Sequence, residues 1–232
     1  MRVLLSISDG LSAVVDWIGR QAAWLFVPMA LVILYDVVQR KLLNVYPEFQ
    51  QTIFYQILPS TKAQELEWHL HGFLFMLCLG FTYVRNGHVR VEVLREKFTP
   101  RTRAWIECLG CLLFVLPYTL LVVDLSATLL FWSSFQMNEG SSATTGLPMR
   151  WIIKSSLVFG FSLLAMAALS ILLRNVVFLF GPADLRERAD RYVRGEDAVA
   201  LTQEAKEELA RDAAAHPEHH FLDRDKPNGG RG

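Results

Sequence analysis

Residues able to do chemistry gather in one stretch, "QELEWHLHGFLFMLCLGFTYVRNGHVRVEVLREKF", Gln64–Phe98. Glu65 and His69 are four apart, as are Glu67 and His71. A carboxylate and an imidazole one helical turn apart can ligate a metal, and four-helix bundles build such sites from facing helices. No comparable run recurs in the chain, so the ligand set is incomplete. Haem meets the same obstacle. Outside the tail the histidines are His69, His71 and His88, all in this stretch, and bis-histidine ligation needs a second helix.

Cys108 and Cys111 form a C-x-x-C, and Cys78 stands alone. Thiol chemistry requires an accessible, activated thiolate. All three cysteines lie in apolar runs, where they read as small packing residues. Asp124 is the deepest ionisable residue in such a run. Intramembrane charges are costly and functional by default; here a structural pair with Lys154, or a polar contact to a partner subunit, is the simpler reading. "HPEHH" at His216–His220 is interrupted by Pro217 and reads as an incidental cluster. There is no phosphate loop, no nucleophile–base pair and no nucleic-acid patch. No catalytic, cofactor or metal residues are expected.

The elements that position these residues follow from apolar runs. The chain has 232 residues, 52% of them hydrophobic, with balanced charge. Apolar residues form four blocks, Ala22–Val38, Leu66–Val84, Trp105–Phe131 and Ile152–Phe180. A helix crosses a bilayer core with about 20 apolar residues, so the expectation is an all-α membrane protein with four transmembrane helices. Trp17, Trp24, Trp105, Trp132 and Trp151 lie near the block ends, where aromatic rings prefer the headgroup layer. Pro28 and Pro117 sit inside blocks, which neighbouring helices can accommodate. The first block begins too late for a signal peptide and lacks a small-residue cleavage site, so it reads as a retained span.

Basic residues set the orientation. Arg85, Arg90, Arg95, Lys97, Arg101 and Arg103 follow span two, and Arg186, Arg188, Arg191 and Arg194 follow span four. The other two connections carry few. Positive loops stay in the cytoplasm, which puts both termini inside. Leu11, Val14, Val15 and Ile18 form an apolar stripe opposite Ser12, Asp16 and Arg20, an interfacial amphipathic helix. Pro47 starts a second such helix with Phe49, Ile53, Phe54 and Ile57 on one face. After Pro182 the chain turns polar, dividing it into residues 1–182, the membrane domain, and 183–232, a cytoplasmic tail that ends in disorder.

The same stretch carries a resemblance. Glu65, then Arg85, Gly87, His88, Val89 and Arg90, then "TPRTRAWIECLG" with Pro100, Arg101 and Arg103, resembles the small membrane subunit (DctQ-like) of tripartite ATP-independent periplasmic (TRAP) transporters. "GLPMRWIIKSSLVFGFSLL" at Gly146–Leu164 resembles that family's Leu-Pro approach to span four. The likeness covers roughly Val14–Phe180. The segment Asn44–Lys62 is longer than in many members, as in the branch associated with mannitol or chloroaromatic compounds.

The resemblance implies an accessory subunit in the bacterial inner membrane. Its partners would be a large TRAP permease subunit, which moves organic acids by a sodium-driven elevator motion, a periplasmic substrate-binding protein, and membrane lipids. Contacts to partner or lipid are expected at Glu65, Arg85, Gly87, His88, Arg90, Asp124 and Lys154. Ser156 and Gly160 have the spacing for a close helix contact. The alternative class is a haem- or thiol-carrying redox membrane subunit.

Overall fold

The computed structural model describes residues 1–85, 87, 98–186, 189, 207 and 211. His88, Arg90 and most of the tail lie outside these described residues. Every regular element among the described residues is helical. In chain order they are α1 (Arg2–Ala23), α2 (Phe26–Val45), a 3-10 turn (Pro47–Gln51), α3 (Ile53–Ile57), α4 (Ser60–Val84), α5 (Pro100–Gln136) and α6 (Trp151–Phe180).

Three helical stretches are long and apolar enough to cross a membrane: Arg2–Val45, Pro100–Gln136 and Trp151–Phe180. The remaining long helix, α4, has 25 residues but carries Lys62, Glu65, Glu67, His69 and His71 in its first half. Those residues dilute its apolarity while leaving its length intact.

Prolines explain the breaks. Pro28 has no N–H to return to the Trp24 carbonyl, which is taken instead by the Val27 amide at 3.1 Å. The α1–α2 junction falls at that point, so the first block straddles a break within a 44-residue helical stretch. In α5, Pro117 follows a π-helical segment, Cys111–Val115, and a second one spans Ser126–Trp132. A wider turn accommodates the ring where an α-turn would clash. At the start of α5, Thr99 caps Pro100 by accepting the Thr102 amide at 3.3 Å.

The helix expected from Pro47 is divided. Thr52 adopts an extended conformation between the 3-10 turn and α3. Its hydroxyl donates to the Phe49 carbonyl at 2.7 Å, ending the first turn. Phe49 then packs edge-on against Tyr55, while Ile53, Phe54 and Ile57 are each more than 60% exposed. Tyr35 of α2 pins α3 by donating to the carbonyls of Phe54 and Leu58 at 3.0 and 3.1 Å.

α6 is the central column. α4 runs parallel to it, with Gly72 against Ile153, Gly160 against Met76, and Gly80 against the Leu163 backbone. α5 runs antiparallel: Trp105 meets Phe180 at one end, and Phe135 meets Trp151 at the other, ring centroids 5.7 and 5.3 Å apart. α1 ascends the groove between α4 and α6, with Leu5 beside Val177 and Val15 beside Leu163 and Ala167. The buried positions are mostly small, including Ala63, Ala104, Ala167, Ala168, Ser156 and Ser170, whereas large apolar side chains such as Phe114 and Trp24 point outward. That inversion of the soluble pattern is how helices pack in lipid.

α1 corrects the expected amphipathic arrangement. Its buried face is Leu5, Ser8, Ser12, Val15, Gly19 and Ala22, and Val14 is exposed. Ser12 faces inward because its hydroxyl has partners on α6.

Candidate functional site

Two polar clusters close the bundle, one at the end where the 137–150 loop folds (the loop end) and one where α1, α4 and α6 gather (the base). At the loop end, α5 stops in a Schellman turn. Asn138 takes φ 46, the left-handed conformation asparagine tolerates. The Asn138 and Glu139 amides return to the carbonyls of Phe135 and Ser134 at 3.2 and 3.0 Å. Glu139 is thereby aimed at α6, where its carboxylate accepts from Lys154, and it also accepts from the Ser134 hydroxyl of α5 at 2.7 Å. The Lys154 ammonium, then the Ser134 hydroxyl, hold the Glu139 carboxyl below the usual glutamate range. Arg150 lies 4.0 Å away.

Glu65 of α4 clamps the other side of the same loop. It accepts the Leu147 amide at 2.6 Å and the Ser141 hydroxyl. Gly146 leaves room for this: a Cβ there would meet Ser141 Oγ and lie 2.7 Å from Glu65 Oε1. Met149, at φ 61, is held in a conformation unusual for its type by these contacts and by the Arg150 amide bonding the Glu139 carbonyl at 2.8 Å.

At the base, α4 ends with the Arg85 amide on the Phe81 carbonyl at 3.0 Å and the Gly87 amide on the Thr82 carbonyl at 2.8 Å. The Arg85 guanidinium donates to Asp16 of α1 at 2.6 Å and lies 5.4 Å from the Phe81 ring centroid. Arg20 donates to the other Asp16 oxygen at 2.8 Å. Nearby, Arg174 of α6 donates to Ser8, Asp9 and Ser12 of α1, each at 3.0 Å, and Ser170 bonds both serines. Near the loop end, Asp36 of α2 is 2% exposed and is satisfied by Arg40, by Gln39 at 3.0 Å and by Ser60 at 2.7 Å.

The structure thus separates the sequence candidates into places. Glu65 and Lys154 belong to the loop-end cluster through different partners, Arg85 and Gly87 belong to the base, and His88 and Arg90 fall outside the described residues. The Asp124–Lys154 pair does not form, because Lys154 is engaged by Glu139, three residues past the end of the π-bulged helix. Asp124 instead stands exposed on α5. An aspartate at the centre of a membrane helix costs about 2.5–3.5 kcal/mol on insertion scales. Sequence reasoning missed Glu139, Asp16 and the Ser8/Ser12/Ser170/Arg174 set. The signal available for the last was two polar pairs at i,i+4, one on each of two apolar helices.

No group of three His, Cys, Asp or Glu residues that could hold a metal occurs among the described residues. Cys108 and Cys111 are buried and form no disulfide, with Cys111 Sγ 3.2 Å from the Tyr83 hydroxyl. What the polar groups do is tie helix ends together.

A family model described as "Tripartite ATP-independent periplasmic transporters, DctQ component" matches residues 29–178. The chain belongs to the DctQ family. As a DctQ component it is a membrane protein of a transport system and not an enzyme. The match runs from α2 through α6 and contains both halves of the loop-end cluster, while α1, with Asp16, precedes it. No curated protein and no solved structure matches the chain.

Proposed function

We propose that the chain is the small subunit of a sodium-coupled TRAP transporter for organic acids, a static scaffold beside which a large elevator-type permease subunit moves. A periplasmic binding protein hands substrate to that large subunit. The observation that carries this reading is where the charges go. Glu65, Glu139 and Lys154 fasten the 137–150 loop, and Asp16, Arg85 and Arg174 fasten α1. Transporter substrate sites instead bring polar groups together near the midplane, at the ends of broken helices.

In this reading α4 is the fourth span, because it lies alongside α6 from Gly72 to Gly80. The loop end faces the periplasm, and both termini lie in the cytoplasm of a bacterial cell, as the basic residues direct. Residues 1–182 form the permease domain and 183–232 the cytoplasmic tail. Arg85, Gly87, His88 and Arg90 anchor the inner end of α4, and Glu65 and Lys154 the outer end.

The test has two parts. Cells lacking the chain should lose sodium-dependent uptake of the organic acid and regain it on re-expression. The purified chain titrated with carboxylates should give no saturable heat. Micromolar binding by the isolated chain would overturn the scaffold reading.

A further inference from the structure

Among the described residues, Asp124 stands exposed on the apolar surface of α5 with no internal partner for its carboxylate. It lies in the ten-residue α-helical stretch Leu116–Leu125, between the two π-helical segments of α5. It is about 12 Å along the axis from Trp132 at 1.5 Å per residue, well inside the apolar layer. Its side chain is exposed, and no ion pair or hydrogen bond satisfies the carboxylate among the described residues. Pro117, Leu120, Leu121 and Thr128 share its face at helical spacing and are also exposed. The π segments that flank it widen the helix on both sides, a distortion frequent at functional sites.

This face has three possible neighbours in a membrane. Lipid tails offer the carboxylate no donor. A second copy docked through the same face would set one Asp124 against another, and like charges repel. A membrane helix with a basic side chain supplies what is missing. Resting on the scaffold reading above, we propose that the Asp124 face of α5 is the docking surface for the large permease subunit, engaged by a lysine or arginine of one of its membrane helices.

The experiment co-expresses the affinity-tagged chain with its large subunit and measures the large subunit recovered from detergent. Asp124→Leu should lower recovery at least tenfold, and Asp124→Glu should keep half or more. The isolated Asp124→Leu chain should melt no lower than wild type, because no internal partner is lost. A Leu121→Cys variant treated with a bifunctional maleimide should cross-link to cysteines introduced in the large subunit. Recovery of the Asp124→Leu complex within twofold of wild type would overturn the proposal. So would a lowered melting temperature of the isolated variant, or cross-links joining two copies of this chain. If the wild-type chain itself recovers no large subunit, the scaffold reading fails first and this contact falls with it.

Discussion

At the residue scale, the loop end depends on carboxylates that are held ionised. Glu65 accepts the Leu147 amide, so Glu65→Ala leaves a partly buried donor without a partner, at about 1–3 kcal/mol. Protease nicking between Ser141 and Leu147 should quicken accordingly, with the rest of the chain intact. Gly146→Ala should give the same phenotype without touching a charge, since its Cβ would occupy the space between Ser141 and Glu65. Glu139 adds a pH dependence. Its carboxyl sits below the ordinary glutamate range because Lys154 and Ser134 favour the ionised form. A depressed acid contributes stability that is complete above its unfolded-state pKa and lost as pH falls through the folded one. Loop protection in detergent should therefore hold at neutral pH and fade under acid conditions, below the ordinary glutamate range. Lys154→Gln should move that loss to higher pH. An unchanged acid profile in Lys154→Gln would mean the pair does not stabilise the loop.

At the element scale, close approach of helices depends on glycine where backbone meets backbone. A Cβ at Gly80 would lie 2.7 Å from the Leu163 carbonyl oxygen, so Gly80→Ala must push α4 away from α6. Overpacking of this kind costs about 1–3 kcal/mol, and the melting temperature in detergent should drop. Gly10, inside α1, has nothing within 4 Å of its would-be Cβ. Gly10→Ala should raise stability by about 0.5–1 kcal/mol, the helical penalty of glycine. Opposite signs from the same substitution are the test; equal effects would refute the packing of α4 on α6. The base follows similar logic, since Arg85→Lys keeps the charge on Asp16 but loses the fork and the contact with the Phe81 ring.

At the scale of the whole molecule, the polar clusters close the two ends of one bundle. α6 packs against α1, α4 and α5, and the positions buried along it are mostly small. Such a block suits a fixed partner better than a moving one. Reporter fusions should place Met1 and Gly232 in the cytoplasm and Gln51 and Ser142 outside. A fusion at Arg95 found outside would overturn this orientation and, with it, α4 as a span.

Much of this was already in the sequence, because the solvent selects for it. A bilayer demands long apolar runs, and the run ending at Phe180 appears as α6 almost unchanged, whereas α5 extends five residues beyond its run at each end. The Arg/Gly/His and Pro-Arg-x-Arg motifs carried the family, since they are local strings. α4 was legible only in part, because its first half is polar for the sake of the loop it clamps. Contacts between distant residues were beyond reach. That Lys154 takes Glu139 and leaves Asp124 alone depends on a Schellman turn at Asn138 and on how α5 rotates through two π segments. That Ser12 faces inward depends on Arg174 standing opposite it. Local periodicity reports which face of a helix is apolar; only the tertiary structure decides which face a neighbour covers, and in lipid the covered face is the small and polar one.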